Sequence, residues 1–193
     1  MITWMPHIRS IAVARSLNDD DLHQSVQEAT AILKLVEQRP APTAENEWLP
    51  SQMWIGFEYA LCIHGLMLSY ELVSARHIAV AEVPGAYLSK VGMALENIGA
   101  TDRSMPPWVG DLDVHRSHRS QLIAQSPAYT EKWPATPVAM PVLWPQIVDN
   151  SPRGYRLRLS TSDLRKMRHG TRRLPAWLRY SEASREVVSA DEQ

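Results

Sequence analysis

The chain has 193 residues, 45% of them hydrophobic, enough for one compact domain with a substantial core but not for a second full one. Its net charge of −1 conceals a division: residues 1–150 hold 10 Lys+Arg against 16 Asp+Glu, whereas residues 151–193 hold 10 against 5. The single cysteine, Cys62, lies in an apolar run, which excludes an internal disulfide and fits a small core residue in a reducing cytoplasm.

The N-terminal stretch MITWMPHIRSIAVARS lacks the apolar centre of a signal peptide. The longest uncharged apolar run, Tyr59 to Tyr70, is too short to cross a bilayer, so a soluble, cytoplasmic protein with no membrane partner is expected; a monomer is expected as well. The first predicted helix runs from about Asn18 to Gln38. Asn18 caps it, Asp19, Asp20 and Asp21 favour its positive end, and Leu22, Val26, Ala29, Leu33 and Val36 form one apolar stripe. Glu28 lies off that stripe but shares its side with Ile32 and Leu35, a semi-apolar setting that suits a proton shuttle or a charged flank residue.

After the connection QRPAPTAENEWLP, a second helix is expected over about Ser51 to Arg76, with Trp54, Leu61, Gly65, Leu68 and Leu72 along its apolar face. Glu58 interrupts that face. A carboxylate there needs a cationic partner or has a role in a site. A third helix follows Pro84 and ends near Asn97, before Gly99. After SMPPWVGD, Asp111 or Asp113 caps a fourth, which ends before Pro127 and carries VHRSHRSQLI.

In that doublet His115 and His118 share a helical face with Leu122, and Arg116 and Arg119 form a neighbouring row. Two histidines can begin a zinc site, yet no Cys pair or HExxH offers the other ligands, so no metal is assigned and a metal-dependent hydrolase is the weakest reading. Phosphate binding suits the donors better, and a solvated helix face suits them too. From Pro127 to Pro152 six prolines, with Trp133 and Trp144 among them, exclude a helix and disfavour central strands, which predicts an extended segment wrapping the helices. Ser162 is read as the cap of a short basic helix closed by Gly170, and another helix as starting at Pro175. From Ser151 to Tyr180 nine basic residues face only Asp163, which reads as a basic tail for a polyanion or as a solvated one. With no period-2 strand series, the fold class is mainly α: a single compact helical domain with a Pro-rich extended segment and a basic C-terminal tail.

MITWMPH, LNDDDLHQSVQEA, MWIGFEYALCIHGL, PPWVGDLDVHRSHRSQLIAQSP and VLWP, in that order, resemble a bacterial and phage family related to the pyrimidine-dimer DNA glycosylases of the endonuclease V type. The resemblance spans about Met1 to Pro145, so residues 1–150 are read as a glycosylase-like helical domain and 151–193 as a basic C-terminal extension. It implies a mainly helical, cofactor-free enzyme that flips a nucleotide, attacks the sugar with its N-terminal amine and cleaves through a Schiff base. The assisting glutamate of the first long helix falls on Glu28. The family pattern also covers Trp54, Gly56, Glu58, Trp108, Gly110, Asp111, His115, Arg116, His118, Arg119 and Trp144.

The bulk of Ile2 disfavours removal of the initiator methionine, so the amine is expected to be that of Met1, or that of Thr3 after unusual processing. An α-amine with pKa near 8 is roughly a tenth free base at pH 7, which makes it a capable imine-forming nucleophile. The family's basic residues around the catalytic helix are missing here, with Asp19, Asp20 and Asp21 before it and Ile55 after Trp54. DNA contact is therefore expected from His115, Arg116, His118 and Arg119, and from Arg165, Lys166, Arg172 and Arg173 in the tail. The expected function is a DNA glycosylase with an abasic-site lyase step, using Met1, Glu28 and Glu58. The alternative is a catalytically degenerate nucleic-acid- or partner-binding protein on the same scaffold.

Overall fold

A computed structural model of the chain describes residues 5, 9–37, 49–80, 83, 85–97, 104–149, 151, 154–182, 184 and 186–190. They fall into two compact units, Met1–Pro106 and Pro107–Gln193. Among the described residues there are seven α-helices and one four-stranded antiparallel sheet, so the protein is mainly helical without being purely so. No helix among them is long and apolar enough to cross a membrane.

Unit 1 contains α1 (Ser10–Ser16), α2 (Asp19–Glu37), α3 (Leu49–Gln52), α4 (Glu58–Tyr70) and α5 (Gly85–Asn97). Helix α2 starts as its sequence dictates: the Asn18 side chain accepts from the Asp21 amide at 2.8 Å, and three aspartates occupy the first turn. Leu22, Val26, Ala29 and Leu33 are all buried, and α2 packs on α4, which in turn packs on α5 and α1. Gly65 permits the close approach: a Cβ there would stand 2.9 Å from Leu88 Cδ1 and 3.3 Å from Ala29 Cβ. Arg76 fixes the far end. Its guanidinium pairs with Asp19 and donates to the carbonyls of Ala14, at 3.0 Å, and Leu17, at 2.7 Å, where α1 ends.

The single helix expected over Ser51 to Arg76 is three pieces. Gly56, at φ +80°, turns the chain between α3 and α4, and residues Glu71–Ala75 continue α4 as a wider π-helical turn. Glu58 therefore opens α4 instead of interrupting a mid-helix stripe. Its Oε1 accepts from the Gly56 amide at 3.0 Å, so the partner of this carboxylate is backbone at a helix's positive end. The apolar face itself is as read, with Trp54, Leu61, Leu68 and Leu72 fully buried.

Unit 2 begins with a 3₁₀ turn over Pro107–Gly110, followed by α6 (Leu112–Gln125). Asp111 caps α6, accepting from the amides of Asp113 at 2.8 Å and Val114 at 3.3 Å. Strands β1 (Trp144–Ile147), β2 (Tyr155–Arg158), β3 (Leu178–Ser181) and β4 (Glu186–Ser189) lie in the order β1-β2-β4-β3, with α7 (Thr161–Arg168) between β2 and β3 in sequence. The register pairs Trp144 with Arg158, Leu157 with Val187, and Tyr180 with Val187. Pro145 is compatible with β1 because β1 is an edge strand.

The described part of the stretch read as a tail is thus folded. Leu157, Leu159, Leu164, Met167, Leu174, Leu178, Tyr180 and Val187 gather around Met140 and Leu143 in one apolar cluster. The cap of α7 is Ser160, two residues before Ser162, and Gly170 closes its end at φ +71°. The helix expected from Pro175 is absent: a turn, with the Leu178 amide on the Pro175 carbonyl at 2.9 Å, leads into β3, whose apolar residues pair with β4.

A buried ion pair fastens this unit. Arg172 Nε lies 3.4 Å from Asp163 Oδ1, with under a tenth of either side chain exposed, and Arg172 also donates to the Met140 carbonyl at 2.7 Å and to Gln121. Asp163 is at the same time the third residue of the α7 cap, bonded with Ser160. Replacing Arg172 by Ala leaves a buried carboxylate without its cation. Chemical denaturation is expected to show a loss of about 3–5 kcal/mol, and a variant within 1 kcal/mol of the wild type would refute the bracket.

Candidate functional site

The carboxylate of Glu28 is 1% exposed, far more enclosed than a helix flank. Its Oε1 accepts from Gln24 Nε2, one helical turn earlier, at 2.8 Å. The sequence gives no hint of this depth because the stripe beside it already accounts for α2. The α2–α4 contact supplies the rest. Asp19 meets Arg76 beyond α4 while Ala29 meets Gly65 midway, so the two helices run antiparallel.

In antiparallel helices one step back along each chain turns both side chains, by about 100°, to the same side of the contact. Glu28 precedes Ala29 and His64 precedes Gly65, so the two polar groups lie on a common side. His64 is 1% exposed, its Nδ1 is 2.8 Å from Ser10 Oγ of α1, and its ring stacks on Trp54 with centroids 5.6 Å apart and planes at 22°. Its Nε2 is buried without a hydrogen-bond partner. Burial pushes the His64 imidazole down from 6.5 to about 4. At neutral pH it is a neutral ring beside a glutamate-bearing helix, able to accept or donate one proton at Nε2.

His64 was missed in the sequence reading. The available signal was a histidine in the apolar run YALCIHGL, one residue before the small residue at the helix crossing. Met1 lies outside the described residues. Glu58 is engaged with the Gly56 amide at the start of α4, as described above.

The expected DNA contacts all belong to unit 2, and the doublet divides by residue type. His115 and His118 are at most 1% exposed and face inward. His115 Nε2 is 2.6 Å from the Val109 carbonyl, and the His118 ring tilts onto Trp144 at 5.9 Å. Burial above all, then the neighbouring His115, pushes His118 down to about 3, against the opposing effect of a hydrogen bond with the Leu143 backbone. Such rings reach a phosphate only if α6 leaves its packing. Ser117 and Ser120 are buried as well and accept the amides of Leu143, at 3.0 Å, and Met140, at 2.9 Å.

Arg116 and Arg119 are the outward part. Arg116 pairs with Asp113 at 3.0 Å and lies over Trp177, while Arg119 lies over Trp133. Arg165, Lys166 and Arg173 are exposed on and just after α7, whereas Arg172 is the buried bracket described above. Among the described residues no three His, Cys, Asp or Glu side chains group as a metal-ion site.

No family model, curated protein or solved structure matches the chain. Unit 1 offers a buried carboxylate and a buried neutral imidazole, and unit 2, by itself, a cationic surface. The units differ in charge accordingly. Residues 1–106 hold 7 Lys+Arg against 12 Asp+Glu, and residues 107–193 hold 13 against 9.

The two histidines give the fold a pH dependence of defined sign. Each has a folded-state pKa below the 6.5 of an unfolded histidine, so between those values the unfolded chain binds the extra proton. Their contribution is complete above pH 6.5 and is lost as pH falls towards 4 for His64 and 3 for His118. For His64 alone the difference corresponds to about 3 kcal/mol. Urea midpoints measured from pH 7 to pH 4 are expected to fall steadily, with a shallower fall in His64→Gln. An unchanged slope in that variant would show that His64 is not held neutral.

Proposed function

We propose that the protein is a DNA glycosylase with an abasic-site lyase step, a cofactor-free cytoplasmic monomer acting on a damaged or modified base. The observation that carries this reading is the enclosure of the Glu28 carboxylate on the first long helix, the position where the family resemblance expects the assisting acid/base group. Burying a carboxylate costs several kcal/mol, and sites that move protons are where such a cost is characteristically met. In this reading the Met1 amine attacks the sugar carbon, the base leaves, and the resulting Schiff base undergoes elimination. Glu28 exchanges the protons those steps require. Arg116, Arg119, Arg165, Lys166 and Arg173 hold phosphates, while His115, His118 and Arg172 support the surface from within.

Borohydride reduction during incubation with an abasic-site duplex is expected to trap a covalent adduct. Glu28→Gln should slow its formation by roughly 100-fold or more while leaving DNA affinity intact. If the protein with an intact N-terminus binds DNA yet forms no adduct, the lyase reading fails.

A second reading, a nucleic-acid-binding protein without catalysis, is favoured by one observation: Arg165 and Lys166 on α7 are exposed and belong to the unit whose charge balance is basic. It expects duplex binding that survives Glu28→Gln, with each of Arg165→Gln, Lys166→Gln and Arg173→Gln lowering the salt slope by about 0.9. Slopes unchanged in all three would dismiss it. Substitution is the appropriate test, because cutting the chain after residue 150 removes β2, α7, β3 and β4 and uncovers Met140 and Leu143.

A further inference from the structure

Helix α6 carries two arginine–tryptophan pairs in one row. The Arg116 guanidinium lies 5.7 Å from the Trp177 ring centroid and the Arg119 guanidinium 5.8 Å from that of Trp133. Three residues apart on a helix, the two arginines have Cβ atoms about 5–6 Å from each other. Behind them Trp133 stacks on Tyr129, with centroids 5.3 Å apart and planes at 6°.

Trp177 is the open end of the row. It is 45% exposed, although a tryptophan is ordinarily buried over most of its surface. It is also held in place. Its Nε1 donates to Asp113 Oδ1 at 3.1 Å, and the same oxygen accepts from Arg116 at 3.0 Å. Arg116 and Asp113 hold the indole, yet nearly half of the residue stays open to water. Burial first, and then the charge of Arg116, draw the Arg119 guanidinium below its ordinary value.

A fixed, exposed aromatic face beside a row of guanidiniums suits a ligand with a flat unpaired ring and closely spaced anions. A duplex offers the anions but hides the faces of its bases. A single strand offers both, and the 13 Lys+Arg against 9 Asp+Glu of unit 2 complement its charge.

We propose that Trp177, Arg116 and Arg119 form a binding surface for single-stranded DNA, with Trp177 stacking on an unpaired base and the arginines holding its flanking phosphates. The choice of DNA rests on the glycosylase reading above; the stacking surface does not require that Glu28 be catalytic.

The test is fluorescence anisotropy of the full chain with a labelled thymidine oligonucleotide, compared with a duplex and a uridine oligonucleotide of equal length. The single DNA strand is expected to bind tighter than the duplex at equal salt. Trp177→Ala should weaken it by about tenfold or more without changing the salt slope, and Trp177→Phe should keep most of the affinity. Arg119→Gln should lower the slope by about 0.7. Wild-type affinity in Trp177→Ala, preference for the duplex whatever occupies position 177, or tighter binding of the RNA strand would overturn the proposal. Should Trp177→Ala melt early, the Trp177→Phe and Arg119→Gln measurements decide it. Adduct trapping with the wild type separates the two claims: single-strand binding that persists where no adduct forms removes the lyase reading and leaves this surface standing.

Discussion

Unit 2 depends on how the backbone of residues 139–143 is satisfied. The stretch holding Pro137 and Pro141 pairs with no strand, yet Met140 and Leu143 are fully buried, so their amides need partners that a strand would otherwise supply. Helix α6 supplies them through Ser120 and Ser117. From the other side Arg172 takes the Met140 carbonyl and the Arg173 amide donates to Ala139. Once that stretch is fastened, Met140 and Leu143 stand where β2, α7 and β4 can pack on them. The repeated tripeptide follows from the same constraint. On a helix residues three apart share a face, so stating His-Arg-Ser twice gives a histidine pair for the interior, a serine pair for the seam and an arginine pair for the outside.

Unit 1 rests on a different device, the absence of a side chain at Gly65. Helices α2 and α4 approach closely there, and Arg76 ties the end of α1 and the start of α2 to the turn after α4. The consequence is enclosure. Glu28 and His64, one residue before each contact position, are carried into the interior together with Trp54.

These two devices explain what could be read in the sequence and what could not. Helices α2, α5 and α6 were legible because their boundaries are set locally, by Asn18 and Asp111 side chains on nearby amides and by periodic apolar residues. The break at Gly56 was not, since the apolar spacing from Trp54 to Leu72 continues across it and only a positive φ reveals the turn. The sheet escaped for another reason: each strand has four residues, and pairing between β1 and β2 or β2 and β4 depends on the distant packing of Met140 and Leu143. Glu28 was singled out, but its depth arises from α4, which the periodicity of α2 cannot register.

The charge division then takes on a structural meaning that a cut near residue 150 obscured. The helix that bears Arg116 and Arg119 folds with the basic strands and α7, not with the acidic helices. Among the 13 basic residues of unit 2, Arg116 is paired with Asp113 at a partly exposed position, Arg156 with Glu186 and Arg172 with Asp163. Exposed cations such as Arg165, Lys166 and Arg173 therefore count for more in any phosphate contact than formal totals suggest. Affinity from so few phosphate contacts would be modest and sensitive to salt. A protein limited in this way would gain disproportionately from a contact that salt does not screen, and under the proposal above the exposed indole at the end of the arginine row would be such a contact.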